Sequence, residues 1–255
     1  MSTVLITGGS SGIGKELAFL FAQRNYNLYL LAKSEEKLKK VQTEILNKYK
    51  INCDIIKYDL RELKKIEKNF EDLEADVLVN CAGIGEISSM DNISIEKELD
   101  IFKLNTIAPV ILTRIFIKKY LLKKEGTVIN ICSTAALYPN PYLGAYSASK
   151  VSLLYYSLAL DREVNSKNKN IRILSICPGP TATNFFNEST KRKFSTYVKY
   201  EMKVRDTAGH IIKAFDKKKS FTVIGFRNKF FVRMIRFLPV TAQTKIVEKF
   251  LKKGV

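Results

Sequence analysis

The chain is poor in the residues from which metal and redox centres are built. Its one histidine, His210, lies in a helical stretch with no acidic partner and no ligand spacing, and its four cysteines, Cys53, Cys81, Cys132 and Cys177, are far apart with no C-x-x-C pair. A metal or dithiol site has no support. Each cysteine sits in or at the end of an apolar run, the setting of a buried free thiol in a reducing compartment. Long hydrophobic runs are also missing. The most apolar stretch, residues 226–240, is broken by Arg227, Lys229, Arg233, Arg236 and Pro239, so no spanning helix is expected. Residues 1–9 hold neither a basic leader nor a signal-like apolar segment, so a cytoplasmic protein is expected rather than a secreted one. Repeats, low-complexity tracts and Pro/Gly/Ser linkers are absent too, which leaves one large domain as the expectation for 255 residues.

Acidic residues are the last shortage. There are 25 Asp and Glu against 43 Lys and Arg, a formal net charge of +18. From residue 189 to the end, eighteen cations face four acids, so the last quarter holds most of the excess. Such a field suits a phosphorylated cofactor, an acidic carrier, a lipid surface or nucleic acid, although a solvated lysine-rich surface accounts for it equally simply.

What is present is an alternation of elements. Beta-rich runs fall at residues 3–7, 27–32, 52–58, 76–80, 126–131, 171–177 and 220–224, with helical periodicity between them. Near-continuous apolar strands such as Val4-Leu5-Ile6 and Val77-Leu78-Val79 suit a sheet covered on both faces. The pattern predicts an α/β fold, a doubly wound seven-stranded parallel sheet with ligands bound beyond the carboxyl ends of its strands. Residues 1–225 form this domain. Residues 226–255 are a basic, amphipathic helical tail, packed on the same domain or at an oligomer interface.

Directly after the first strand comes Thr7-Gly8-Gly9-Ser10-Ser11-Gly12-Ile13-Gly14, opening a helix. Glycines let the backbone approach a pyrophosphate, whose charge is met by free amides at the helix start. In this strand-turn-helix context the motif points to a dinucleotide. At the end of the second strand, an acidic residue would bond both ribose hydroxyls of NAD. The sequence has Lys33 and Ser34 there instead, which favours NADP(H), with NAD(H) as the alternative.

A third cluster is Ser133 with Tyr146 and Lys150, the last two spaced to share one helix face. A nearby cation stabilises a phenolate and lowers the tyrosine pKa, which would make Tyr146 an acid-base group near neutral pH. Ser133, at the end of the fifth strand, is placed to hydrogen-bond a substrate oxygen.

Together the glycine motif, Asn80-Cys81-Ala82-Gly83, Asn105, Ser133, Tyr146, Lys150 and Pro178-Gly179-Pro180-Thr181-Ala182-Thr183 resemble the single-domain branch of the short-chain dehydrogenase/reductase family over about residues 3–225. The resemblance implies a Rossmann-like fold and hydride transfer between a nicotinamide and a carbonyl or alcohol. It implies that Tyr146 is the general acid in reduction and base in oxidation. Lys150 lowers its pKa and holds the nicotinamide ribose, Ser133 orients the carbonyl, and Asn105 anchors a water in a proton relay. Gly8, Ser10, Gly12, Ile13 and Gly14 take the pyrophosphate. Asp59 and Leu60 flank the adenine, Asn80, Ala82 and Gly83 line the cofactor bed, and Thr181 and Thr183 fix the carboxamide after the Pro178-Gly179 turn. Two positions depart from the pattern. Cys81 stands where a second asparagine is frequent, and Ser11 where NADP-preferring members often carry a cation, so the phosphate preference leans on Lys33.

The segment after the Pro-Gly turn commonly forms a lid in this family. Here it holds Phe185, Phe186, Phe194 and Tyr197, which with Leu137, Tyr138, Pro139 and Tyr142 would make an apolar wall for a ketone, sterol or 3-oxoacyl substrate. A homodimer or homotetramer is expected. In residues 226–238, a helical wheel puts Phe226, Phe230, Phe231, Met234, Ile235, Phe237 and Leu238 on one half and Lys229, Arg233 and Arg236 on the other, with Arg227 and Val232 as exceptions. The expected order of roles for this helix is docking on the domain, packing on a second subunit, and peripheral contact with an anionic membrane. Nucleic acid is not the expected partner, because the aromatics do not lie among the cations as a stacking platform requires.

Overall fold

Alternate residues of the first strand face opposite sides, and both sides are apolar. In a computed structural model, which describes residues 1–183, 185 and 201–252, β1 (Thr3–Thr7) buries Val4 and Ile6 with one cluster and Leu5 with another. A strand of this kind has to lie inside a sheet covered on both faces. It pairs in parallel with β2 (Asn27–Ala32) on one side and β4 (Val77–Asn80) on the other. The full order is β3-β2-β1-β4-β5-β6-β7, with every pairing parallel. Here β3 is Cys53–Lys57, β5 Gly126–Ile131, β6 Ile171–Cys177 and β7 Phe221–Val223. The seven expected strands are all present, three of them one residue shorter at an end or at both ends. The chain leaves β1 toward β2 and β3, then returns to β4 on the opposite side. That reversal opens a crevice between the ends of β1 and β4.

Helices cover both faces. On one, α1 (Gly12–Ala22), α2 (Glu35–Leu46) and α7 (Val204–Asp216) bury Leu17, Phe21, Leu38, Ile45, Ala208 and Ile211 against the sheet. On the other, α3 (Ile66–Phe70), α5 (Ala108–Lys123) and α6 (Gly144–Lys167) contribute Phe70, Phe116, Tyr120 and Val164. Between them lies α4 (Ile95–Phe102), joined to α5 by a single widened turn over Lys103–Ile107. Arg24 and Asp216 close the ends of α1 and α7 with two parallel hydrogen bonds of 2.6 and 2.8 Å.

The tail forms two helices, α8 (Phe226–Arg236) and α9 (Val240–Lys252), separated around Pro239. Its inward face is only partly the expected one, with Phe231 and Ile235 turned inward from the expected half. Val232, read from the sequence as an exception, is buried among Cys132, Leu153, Leu154 and Val223, while Ile235 is buried with Tyr146, Val247 and Leu251. Phe226, Phe230 and Phe237 face solvent at 83%, 61% and 77% exposure. The physical reason is the start of the helix. Gly225, at φ +87, turns the chain so that Asn228 lies against the backbone of Gly179, and Asn228, Val232 and Ile235 then form one stripe at helical spacing. Of the expected lid residues, Phe186, Phe194 and Tyr197 lie outside the described residues.

Candidate active site

The crevice between β1 and β4 is floored by backbone that only glycine allows. Gly8 (φ +70) and Gly12 (φ +53) take left-handed conformations, and a side chain on Gly14 would run into the Gly8 carbonyl oxygen. The turn therefore folds tightly onto the start of α1. Ser11, at the N-cap position, makes no side-chain capping bond, so the first amides of α1 face the cleft without a side-chain acceptor. An anion suits this position, and the pyrophosphate of a dinucleotide fits both the free amides and the close backbone approach. Thr7 completes the crevice. Its hydroxyl accepts from the amides of Cys81 and Ala82, each at 3.0 Å, locking the exit of β4 against β1.

The cleft has a volume of about 300 Å³ and runs from this turn across the ends of β4, β5 and β6. Of the expected residues, Gly8, Gly12, Ile13, Gly14, Ala82, Gly83, Ser133, Tyr146, Lys150, Pro178, Gly179, Thr181 and Thr183 line it. Ser11, Cys81, Ile84, Phe185 and Glu201 join them. Thr183 closes over the turn, since a side chain on Gly12 would meet its Cγ2 at 3.2 Å.

At the far end of the cleft stands the polar group. Ser133 follows β5, its hydroxyl accepts from the Ala135 amide at 3.1 Å, and it lines the cleft with the Tyr146 phenol. Burial pushes that phenol up to about 12, and the neighbouring Ser133 hydroxyl pulls it partly back. Lys150 lies one helical turn on, its Nζ donating to the Ile131 carbonyl at 2.9 Å and standing 6.0 Å from the centroid of the Tyr146 ring. Burial lowers its pKa. The expectation that the lysine draws the phenol below its ordinary value does not hold for the chain itself. Desolvation outweighs a cation that is tied to a backbone carbonyl and makes no hydrogen bond to the phenol.

Asn105 sits in the widened turn before α5, fully buried. Its side chain accepts from Ile84 N at 2.9 Å, donates to Ile84 O at 2.8 Å and donates to Ser149 Oγ at 3.1 Å. Ser149 in turn donates to the Tyr146 carbonyl at 2.7 Å. Widened turns of this kind recur at functional sites. Here the turn lets one asparagine fix both the loop after Gly83 and the helix that carries Tyr146. Phe185 packs edge-on against the Tyr146 ring at 5.6 Å, in a space that a side chain on Gly85 would fill.

Besides the buried Asn105, six expected residues lie apart from the cleft wall. Asn80 is buried and donates to Thr113 and Asn130, holding β4 to its neighbours. Leu60 is a core residue packed with Leu31 and Ile66. Ser34 caps α2 through the Lys37 amide, and Ser10 is half-buried outside the lining. Lys33 reaches into solvent and pairs with Asp59 at 3.6 Å. Asp59 is held more strongly by Arg61, which donates to it through Nε at 3.0 Å and Nη2 at 2.7 Å and also pairs with Asp100. Those bonds lower the Asp59 carboxyl to about 2. Lys33 is therefore not the sole cation at this end of the cleft, as the sequence suggested. Arg61 was missed because nothing in its local spacing shows that α4 supplies a second carboxylate. Ser149 and Asn228 were missed for the same reason, their roles depending on which helices meet. Thr7 and Phe185 carried a signal in their places after β1 and after the Pro-Gly turn.

The model of the short chain dehydrogenase family matches residues 2–193. A very-long-chain 3-oxoacyl-CoA reductase of Lodderomyces elongisporus is 33% identical over 67% of this chain and 53% of its own length. The chain thus matches about half the length of that relative. A protein of the same description from Rattus norvegicus is 30% identical over 98% of this chain and 82% of its own. Two solved structures share the fold. A short-chain dehydrogenase from Sphingobium yanoikuyae in complex with NADPH has a TM-score of 0.79 at 23% identity, covering 89% of each chain. A short chain dehydrogenase/reductase from Burkholderia phymatum in complex with NAD has a TM-score of 0.85 at 18% identity, covering 95% of each. By the family model and by these relatives, the chain belongs to the short-chain dehydrogenase/reductase family.

Proposed function

We propose that the chain is an NADP(H)-preferring oxidoreductase acting on an apolar ketone or its alcohol, with 3-oxoacyl thioesters as the leading substrate class. The observation that carries this reading is Ser133, Tyr146 and the buried Lys150 brought together in the wall of a cleft that begins on a glycine turn. A nicotinamide dinucleotide, when bound along the cleft, supplies the hydride. Gly8, Gly12, Gly14 and the amides of α1 would hold its pyrophosphate, and Thr181 and Thr183 its far end. The chain does the proton chemistry. Tyr146 is protonated across the neutral range and gives its proton to the carbonyl oxygen, which Ser133 orients by a second hydrogen bond. Lys150 supplies a fixed positive charge below the developing phenolate. Asn105 is a positioning residue, holding Ile84 and Ser149.

The cofactor preference rests on charge. Asp59 is committed to Arg61 and Lys33 faces solvent, so no unpaired carboxylate is offered to a ribose and a cation stands near the place of a 2′-phosphate. The substrate class rests on the apolar cluster around Tyr146, which includes Ile87, Leu143, Ile235 and Val247, and on the descriptions of the relatives above. In this reading residues 1–225 bind and react, while residues 226–255 roof the substrate end. Free cysteines, three of them buried, suit a reducing compartment such as the cytoplasm. A homodimer or homotetramer is the expected assembly.

The test is turnover by purified protein with NADPH and with NADH against 3-oxoacyl thioesters of increasing chain length, bulky ketones and sterols. NADPH-dependent reduction rising with acyl length supports the proposal. Tight NADPH binding with no turnover of any panel member would make the chain a nucleotide-sensing protein instead.

A further inference from the structure

On α8 and its C-terminal capping residue, Phe226, Phe230 and Phe237 fall within an arc of about 40° at 100° per residue, and this arc is the centre of the outward face. Arg233, Lys229 and Arg236 flank it on one side, and Met234 and Arg227 on the other. Leu238 and Val240 continue the exposed apolar surface past the helix end. Between residues 217 and 247 there are eight Lys or Arg and no Asp or Glu. A shallow groove of about 520 Å³ beside the edge strand β7 is lined by Lys219, Lys229, Arg233 and Arg236 together with Phe221 and Phe237.

We propose that this face of α8 docks on an anionic lipid bilayer. Three aromatic rings at the centre of a ring of cations match the two layers such a surface offers, acyl chains below and phosphate headgroups around. The rings enter the headgroup boundary, and the groove cations meet the lipid phosphates. No described helix is long and apolar enough to cross a membrane, so the contact is peripheral. A second copy of the chain is the poorer occupant. A two-fold contact would set the same cations of both copies against one another with no acid on this segment to relieve them. The inner side of the same helix places Ile235 in the cluster around Tyr146, so bilayer and substrate end lie on opposite sides of one helical layer.

The experiment is sedimentation with phosphatidylcholine vesicles, with and without phosphatidylserine, using the full chain. Two variants accompany it: Phe226→Ser/Phe230→Ser/Phe237→Ser and Arg233→Glu/Arg236→Glu. All five side chains are exposed, so thermal melting should match wild type and separate loss of docking from loss of fold. Wild type is expected to bind vesicles containing phosphatidylserine, to be released by salt, and to ignore phosphatidylcholine alone. Charge reversal should weaken binding roughly ten-fold or more. The aromatic variant should sediment no better than protein without vesicles. Absence of wild-type binding at low salt overturns the proposal, as does equal binding by both variants. Self-association that the aromatic variant abolishes, without any vesicle binding, overturns it in favour of a second copy. None of these readouts depends on turnover.

Discussion

The buried Lys150 ammonium donates to the Ile131 carbonyl at 2.9 Å, near the thiols of Cys81, Cys132 and Cys177 at the ends of β4, β5 and β6. A buried cation with one neutral acceptor costs the folded state free energy. Burial depresses its pKa, so below its folded value the charge opposes folding, and the opposition fades as pH rises toward the unfolded value of about 10.4. Lys150→Met should therefore raise stability at pH 7 by roughly 1–2 kcal/mol while weakening cofactor binding and abolishing turnover. Thermal melts at pH 7 and pH 10 check the sign, with the gain shrinking at the higher pH.

Tyr146 has the opposite linkage. Its folded-state value of about 12 exceeds the unfolded value of about 10, so its share of stability is fully present below about pH 10 and lost as pH rises through 12. Tyr146→Phe should flatten alkaline unfolding across that window and lower reduction at least about 100-fold with little change in cofactor affinity. Wild-type reduction should be level across neutral pH, since the proton donor stays loaded, whereas oxidation should quicken with pH. A matched set of pH-rate curves for both directions reads this.

The sheet was legible because each strand is a nearly unbroken apolar run and Thr7-Gly8 to Gly14 follows the first without a gap. Tyr146 and Lys150 share a helix face by spacing and Ser133 ends a strand, but it is the family resemblance that joins the three as one group. The roll of α8 was not, because a helical wheel shows which side chains share a face but not which face is inward. That depends on Gly225 and on Asn228 meeting Gly179, a contact made across the fold. The charge network at the second strand was hidden in the same way: Asp59 and Arg61 are near in sequence, but Asp100 arrives from α4.

That network gives a test of cofactor choice. Asp59 holds Lys33 at 3.6 Å while Arg61 holds Asp59. Removing the carboxylate by Asp59→Asn frees Lys33 and should shift the NADPH-to-NADH preference about three- to ten-fold further toward NADPH. Arg61→Ala leaves Asp59 to Lys33 alone and should shift it the other way. Dissociation constants for the two cofactors at fixed salt decide the matter.

Two glycines test the backbone reading from opposite sides. A side chain at Gly14 collides with the Gly8 carbonyl, so Gly14→Ala should cost roughly 2–3 kcal/mol and cofactor binding with it. Gly209, inside α7, has open space where a side chain would go, so Gly209→Ala should stabilise by roughly 0.5–1 kcal/mol and leave activity unchanged. Chemical denaturation of both variants provides the comparison.

The two faces of α8 make the last contrast. Ile235 is buried beside Tyr146, Leu143 and Val247, so Ile235→Ala opens a cavity in the roof of the substrate end and should cost about 2–4 kcal/mol. Because that cavity borders the reacting group, KM for a bulky ketone should rise more than kcat falls. Phe230 is 61% exposed, and Phe230→Ser should change neither stability nor KM measurably in solution. If both substitutions destabilise alike, the helix is rolled differently from the structure and its phenylalanines are core residues. If Ile235→Ala is neutral, the tail does not roof the site, and the apolar wall has to come from the segment after Thr183.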